Sequence, residues 1–221
     1  MKYLVSVLLF IVVSILPVSF QADESGQKAV LITGASTGLG RAMAELIASE
    51  GHFVYAGARK DKDMAELNAI ENVQAVRLDV TDPEQITAAV KTIESAGRGL
   101  HGLINNAGVG VLYPLTDVPQ SEIEWLMDVN LYGPVRVTQA FAPMIIESKG
   151  RISTTGSISG ILSGRMFGPY SMSKHAMEAF TDSLAAELED QGVQVSIIEP
   201  GNYESKIGQN VIKRMQSQGY D

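Results

Sequence analysis

The sequence predicts an α/β fold, a doubly wound parallel sheet with helices on both faces in three layers. Short β-branched segments alternate with helical segments along the chain after residue 25. Segments such as AVLITG and VSIIEPG are apolar at consecutive positions, which is typical of parallel strands that are buried on both sides. The connections between these segments are short turns, so residues 26–221 are predicted to form one domain.

The elements follow in order along the chain. Strands are predicted in KAVLITG, HFVYAGA, VQAVRLDV, HGLINNAG, GRISTTGS and VQVSIIEPG. Helices are predicted in LGRAMAELIASEG, MAELNAI, DPEQITAAVKTIESAG, a stretch from about residue 120 to 147, and GPYSMSKHAMEAFTDSLAAELEDQG. Gly51 ends the first helix, whereas Asp82 and Pro83 give the third helix its N-cap and its first position.

Residues 1–25 form a separate N-terminal segment. The run from Leu4 to Phe20 is uncharged and mostly apolar, which predicts a signal sequence or a membrane anchor. Ala22 could precede a cleavage site, but Phe20 then stands where a small residue is usual, so cleavage stays open. The segment predicts membrane association or export. A cytoplasmic protein is the alternative if the segment is not part of the natural chain.

Composition excludes several classes of function. The net charge is −8, so broad binding to nucleic acid is not expected. The chain has no cysteine, and its three histidines show no metal-ligand spacing, so no metal site is predicted.

A glycine-rich turn follows the first predicted strand. TGASTGLG places Gly34, Gly38 and Gly40 between that strand and an amphipathic helix. Glycines there let backbone N–H groups approach a pyrophosphate at the helix N-terminus, which predicts a dinucleotide site. The residues expected to surround the phosphates are Gly34, Ser36, Thr37, Gly38, Leu39 and Gly40.

The end of the second strand bears on which dinucleotide is bound. Arg59 stands where an acid that binds the ribose hydroxyls of NAD would be expected. A guanidinium suits a 2′-phosphate instead, and Lys60 could assist it, so NADP is predicted. Asp61 and Asp63 are close enough to keep NAD as the less favoured alternative.

Tyr170 and Lys174 stand four residues apart at the start of a predicted helix, so both side chains project from one face. Alone, such a pair is more typical of a solvated surface. With its other motifs, the chain resembles the shorter branch of the short-chain dehydrogenase/reductase family, which has a Rossmann fold, and within it the members that act on retinol and steroids. The resemblance covers about residues 28 to 205 and rests on TGASTGLG, LDV, NNAG, MDVNLYG, STTGSISG, Tyr170, Lys174 and the PG at 200–201.

The resemblance implies roles for individual residues. It implies a catalytic set of Asn130, Ser157, Tyr170 and Lys174. It implies further contacts to the cofactor from Asp79, Val80, Asn106, Ala107, Gly108, Tyr170, Lys174, Pro200, Gly201 and Ser205.

The implied chemistry interconverts an alcohol and a ketone. Tyr170 would carry the proton, and the Lys174 ammonium would favour its phenolate. Ser157 would hold the substrate oxygen, and Asn130 would hold a water that connects Lys174 to solvent. An apolar pocket formed by residues 109–115 with Met166 and Phe167 would take a hydrophobic secondary alcohol or ketone. The alternatives are a nucleotide-binding protein without turnover and a related isomerase or lyase.

The sequence departs from the family at its C-terminal end. The family usually continues through a helical substrate lobe and a seventh strand, but this chain ends at Asp221. We therefore expect the last strand, part of the lobe and a common dimer surface to be missing, with room for one helix of the lobe. A homo-oligomer remains compatible with the sequence.

Overall fold

The computed structural model describes residues 26–201, 206–217 and 219. The predicted membrane-directing segment and the expected cofactor contact of Ser205 lie outside these residues. Among the helices that are described, none is long and apolar enough to cross a membrane.

Six parallel strands form one sheet, as the sequence predicts. Their bounds are β1 (Ala29–Ile32), β2 (Phe53–Ala58), β3 (Val73–Arg77), β4 (Gly102–Asn105), β5 (Arg151–Thr155) and β6 (Gln194–Ile198). The order across the sheet is β3-β2-β1-β4-β5-β6, and every pairing is parallel. The winding reverses between β1 and β4, and ligands of such sheets bind at the carboxyl end of the strands at this reversal.

Seven α-helices lie in the described residues, six between strands and one after β6. They are α1 (Gly38–Ser49), α2 (Asp61–Asn68), α3 (Pro83–Ser95), α4 (Gln120–Met127), α5 (Gly133–Glu147), α6 (Gly168–Leu188) and α7 (Lys206–Ser217). Helix α2 begins three residues earlier than predicted, with Asp61 and Asp63 in its first turn. Asp82 caps α3 as predicted, since its side chain accepts hydrogen bonds from the N–H groups of Glu84 and Gln85.

The predicted helix from about residue 120 to 147 has the right extent but is not one α-helix. A π-helical turn, Asp128–Tyr132, separates α4 from α5. Pro134 lies two residues after the end of this turn and has no N–H to donate to the carbonyl of residue 130, so one α-helical hydrogen bond is missing beside the turn. The turn carries Asn130, one of the predicted catalytic residues.

Helices cover one face of the sheet completely and the other only in part. The larger core lies between the sheet and α3, α5 and α6, and includes Leu31, Leu103, Phe141 and Ile152. On the opposite face, α1 and α2 cover β1, β2 and β3. On this face β5 and β6 are less covered in the described part of the chain, where Ile198 is 55% exposed. The prediction of a parallel sheet with helices on both faces is confirmed.

Candidate active site

A cavity of about 510 Å³ opens at the carboxyl edge of the sheet, between the ends of β1, β4 and β5, the start of α6, and α7. Most of the predicted site residues line it: Gly34, Thr37, Gly38, Leu39, Gly40, Asn106, Gly108, Ser157, Tyr170, Lys174, Pro200 and Gly201. Other predicted residues are not among those that line this cavity, namely Ser36, Arg59, Asp79, Val80, Ala107 and Asn130.

The glycine-rich turn has the backbone that its sequence predicts. Gly34 and Gly38 have φ values of +66° and +58°, which disfavour residues that carry a side chain. A Cβ at Gly40 would stand 2.4 Å from the carbonyl oxygen of Gly34, so the turn and α1 can pack this closely only without one. Thr37 precedes α1 without a side-chain cap, and the first turn of α1 has no acidic residue, which leaves the helix N-terminus suited to an anion.

Asn106 fixes this turn to the end of β4. Its side-chain amide donates to the carbonyl oxygens of Thr33 and Gly34 at 3.0 and 3.2 Å. The Thr33 hydroxyl in turn accepts from the N–H groups of Asn106 and Ala107 at 2.9 and 3.0 Å. The glycine-rich turn and the loop after β4 therefore form one hydrogen-bonded unit, and Ala107 packs against Gly34 within it.

Asn130 holds the same loop in place further along the chain, at Val109. Its amide oxygen accepts from the N–H of Val109 at 2.8 Å, and its amide nitrogen donates to the Val109 carbonyl at 2.9 Å. The same nitrogen also contacts the Ser173 hydroxyl at 3.1 Å, one residue before Lys174. Asn130 thus links the loop after β4 to α6, whereas the water that sequence analysis assigns to it stays a prediction.

Tyr170, Ser157 and Lys174 lie together at the inner end of the cavity. Ser157 precedes a 3₁₀ turn, Ile158–Gly160, and a hydrogen bond from its side chain lowers the pKa of Tyr170. The Lys174 ammonium lies 5.8 Å from the centre of the Tyr170 ring and donates to the carbonyl of Thr155 at 2.8 Å. Because α6 is regular here, the four-residue spacing places the phenol and the ammonium on the face that borders the end of β5.

Burial dominates the electrostatics of this pair. Burial raises the pKa of Tyr170, and the hydrogen bond from Ser157 opposes this shift without reversing it. Burial also lowers the pKa of Lys174 to about 8, although the charge of Glu178 partly opposes this. The causes of the shift at Tyr170 are burial and Ser157, so the predicted lowering of its pKa by the Lys174 ammonium stays a prediction.

The expected adenosine end of the site is formed by Asp79 and Arg59. Burial alone would raise the pKa of Asp79, but hydrogen bonds from Thr81 and the charge of Arg59 hold that pKa below its usual value. Arg59 lies 3.4 Å from the Asp79 carboxylate, and its side chain is 65% exposed. The side chain of Val80 packs in the core instead, against Gly133.

Sequence analysis missed Arg77, which lies on β3 directly beside Ala58 of β2. Its guanidinium donates to the carbonyl of Arg59 at 2.6 Å and forms an ion pair with Asp61. The position of Arg77 near the carboxyl end of the predicted strand VQAVRLDV is the signal that could have placed this side chain at the same edge.

Sequence analysis also missed the residues of α7, which covers the outer end of the cavity. Val211 of α7 packs against Gly110, where a Cβ would stand 2.6 Å from a Val211 methyl carbon. Arg214 of α7 forms two hydrogen bonds with Glu122 of α4, at 2.6 and 2.7 Å. The expectation of one further helix after β6 is confirmed, but the residues it contacts could not be inferred from its sequence.

Known proteins share both the sequence and the fold. A model of the short chain dehydrogenase family matches residues 28–216. D-beta-hydroxybutyrate dehydrogenase, mitochondrial, of Bos taurus is 38% identical over 191 residues, which make up 82% of this chain and 56% of that protein. The chain therefore spans about half the length of this curated relative.

Solved structures agree with this relationship. A short chain dehydrogenase/reductase of Burkholderia phymatum in complex with NAD has a TM-score of 0.78 at 31% identity, over 83% of this chain and 68% of that one. A variant of actinorhodin polyketide ketoreductase with NADPH has a TM-score of 0.81 at 26% identity, over 90% and 78% of the two chains. Because the family model matches residues 28–216 and the fold agrees with that of solved members, the chain belongs to the short-chain dehydrogenase family.

Proposed function

We propose that this protein is an oxidoreductase that reduces a ketone to a secondary alcohol with a nicotinamide cofactor, NADPH in preference to NADH. One observation carries the proposal: Ser157, Tyr170 and Lys174 meet in the same cavity that the glycine-rich turn borders. A proton donor is thereby placed beside a surface suited to a dinucleotide.

The residues present fit such a cofactor. The turn after β1 offers a close backbone approach at Gly34, Gly38 and Gly40, and the uncapped N-terminus of α1 faces the same cavity. Reduced nicotinamide, when bound, supplies the hydride that the carbonyl carbon accepts. Gly108 and Asn106 form the wall between the turn and Lys174.

Tyr170 supplies the proton in this proposal. Since burial raises its pKa, Tyr170 carries its proton at neutral pH and can donate it to the carbonyl oxygen as the carbon becomes an alcohol. Ser157 holds the same oxygen through its hydroxyl, as its position beside Tyr170 suggests. The direction of the shift therefore favours reduction at neutral pH over alcohol oxidation, which would need the phenolate.

Lys174 supports Tyr170 and replaces its proton. The ammonium is almost completely buried, with 6% of the residue exposed, and the carbonyl of Thr155 holds it in place. With a pKa of about 8 it is charged at neutral pH and still able to give up a proton. A route from Lys174 past Asn130 to solvent would restore that proton.

The cavity supports a hydrophobic substrate. Of the residues predicted to line it, Val109, Leu112 and Phe167 do so, whereas Val111 and Tyr113 pack in a small core with Leu126. Trp125 and the α7 residues Ile207, Val211 and Ile212 add further apolar surface. We therefore propose a hydrophobic ketone that is reduced to a secondary alcohol.

The preference for NADPH is supported by charge. Arg59 follows the last residue of β2 and Arg77 ends β3 beside it, where the 2′-phosphate of NADPH would meet both, and Lys60 follows Arg59 directly. The two solved relatives described above hold different cofactors, so they favour neither. The opposing charge comes from Asp61 and Asp79, which are already paired with these two arginines.

Replacing Tyr170 with Phe removes the proposed proton donor and little else. We expect turnover of ketones to fall by about 10²- to 10⁴-fold, because the carbonyl oxygen then lacks a positioned acid. The affinity for NADPH, measured by its fluorescence, should stay within about threefold, since the lost hydroxyl faces the substrate. Tyr132→Phe, at an exposed tyrosine, is the matched control. Turnover within tenfold of the parent would exclude Tyr170 as the donor.

Lys174→Met should change how stability depends on pH. The folded-state pKa of Lys174 lies below its unfolded value of 10.5, so the cost of the buried charge is fully present below pH 8 and disappears as the pH rises toward 10.5. Between pH 7 and pH 9.5 the parent should therefore gain about 2 kcal/mol of unfolding free energy relative to Lys174→Met. Urea denaturation at several pH values measures this gain. A difference that is constant with pH would show that Lys174 is not buried as a charged group.

Arg59→Asp should weaken the preference for NADPH. The new carboxylate would repel the 2′-phosphate and could accept from ribose hydroxyls, so we expect the ratio of NADPH to NADH affinity to fall by at least about tenfold. Lys60→Asp makes the same change of charge one residue on and serves as the control. An unchanged ratio for Arg59→Asp, with a fall for Lys60→Asp, would transfer the role to Lys60.

Residues 1–25 remain the basis of a proposal about location. We propose that the apolar run from residue 4 to 20 associates the chain with a membrane, because it is uncharged over that length. The full chain should sediment with membranes, whereas a chain that begins at residue 26 should not. If the full chain is found in the soluble fraction, and mass spectrometry shows that its N-terminus is intact, the proposed membrane association is contradicted.

A further inference from the structure

One ion pair lies at the outer end of the cavity, between α4 and α7. The Arg214 guanidinium donates to both carboxylate oxygens of Glu122, at 2.6 and 2.7 Å, and lies 3.7 Å from the centre of the Trp125 ring. Glu122 is almost completely buried, at 5% exposure. The mechanism proposed above uses neither residue.

The charged side chains that line the cavity determine how a charged substrate would be received. Among the described residues that line the cavity, the cationic side chains are those of Lys174 and Arg214, and no aspartate or glutamate is present. Lys174 lies at the inner end and donates to Thr155. A substrate that carried a carboxylate would therefore meet Arg214 at the apolar outer end, beside Trp125 and Val211.

We infer that Glu122 neutralises Arg214 and thereby restricts the cavity to uncharged carbonyl substrates, excluding keto acids. This inference rests on the proposed function and names its substrate class. Two of the five N–H groups of Arg214, on its Nε–Nη2 edge, are already directed at Glu122, so that edge is closed to a second carboxylate. The buried carboxylate of Glu122 also balances the positive charge that Arg214 presents to the cavity.

The attraction that Glu122 removes is large enough to matter for selection. A carboxylate about 5 Å from an unpaired guanidinium would be attracted by about 3 kcal/mol at an effective dielectric constant of about 20, which corresponds to roughly 100-fold in binding, and the charge of Glu122 cancels most of this attraction. The hydrogen bonds that Arg214 donates to Glu122 also raise the pKa of Arg214, so the guanidinium stays charged. Desolvation of an anion at this apolar end would add to the discrimination.

The isosteric variant Glu122→Gln separates the charge of Glu122 from its packing. The amide oxygen of glutamine can still accept a hydrogen bond from Arg214, so α7 can stay docked on α4 while the cavity gains a positive charge. Glu124→Gln is the matched control, since Glu124 lies on the exposed side of α4 and pairs with Gln120. Both variants remove one negative charge from the same helix.

The most direct test compares two substrates that share one ketone. 3-Oxobutanoate and its methyl ester differ at the far end in charge and in one methyl group, and NADPH consumption reports the turnover of each. We expect the parent to prefer the ester by at least about tenfold in kcat/KM, and Glu122→Gln to reduce that preference by at least about tenfold. Glu124→Gln should keep the preference of the parent.

Trp125 provides a second measurement that needs no turnover. It is the one tryptophan in the sequence, and it lies under the Arg214 guanidinium and lines the cavity. Its fluorescence can be quenched by iodide, an anion, and by acrylamide, which is neutral. Glu122→Gln should raise the ratio of iodide to acrylamide quenching by about twofold or more, whereas Glu124→Gln should not.

The outcomes separate this inference from the proposed function. If the parent reduces the acid and the ester equally well, or if Glu122→Gln changes neither ratio while its Trp125 emission resembles that of the parent, the inference is overturned. If the parent reduces no ketone but Glu122→Gln, unlike Glu124→Gln, raises the quenching ratio, Glu122 does neutralise the cavity and only the proposed function fails. An unchanged quenching ratio without turnover would contradict both.

Discussion

The site depends on a buried ammonium group held by a backbone carbonyl. Lys174 is almost completely enclosed, and its hydrogen bond to Thr155 joins α6 to the end of β5. Burial lowers its pKa to about 8, so the fold keeps a charge where its own stability would favour a neutral group. Such a cost is typical of a functional residue, because a lysine placed only for packing would extend its charge to solvent.

The surrounding elements are arranged around this contact. Asn130 connects the backbone of Val109 to Ser173, so the loop after β4 and the second turn of α6 cannot move independently. Asn106 connects the other end of that loop to the glycine-rich turn. Two asparagines, whose side chains can donate and accept at once, thus join the glycine-rich turn to the helix that carries the proposed proton donor and the ammonium group.

Much of this arrangement could be predicted from the sequence, and the reasons are local. Strand and helix segments are visible in the periodicity of apolar residues, and the turn at Gly34–Gly40 depends on glycines that the sequence shows directly. Tyr170 and Lys174 share a face because four residues make about one helical turn. These predictions needed no knowledge of distant contacts.

The features that could not be predicted depend on burial or on contacts between distant residues. The pKa of Tyr170 follows from how completely the helix is covered, and sequence analysis considered only the neighbouring charge. The pair of Glu122 and Arg214 joins residues 92 positions apart. The π-helical turn was not predicted, and the missing N–H of Pro134 alone does not require it, since Pro143 lies inside α5 without a break.

Transfer of a labelled hydride tests the central claim most directly. The full chain would be incubated with NADPH that carries deuterium at the transferable position and with an uncharged hydrophobic ketone, and the product would be analysed by mass spectrometry. The account predicts an alcohol with one deuterium on the former carbonyl carbon, formed by the parent and not by Tyr170→Phe. Tight binding of NADPH without any labelled alcohol, over a broad panel of uncharged ketones, would contradict it.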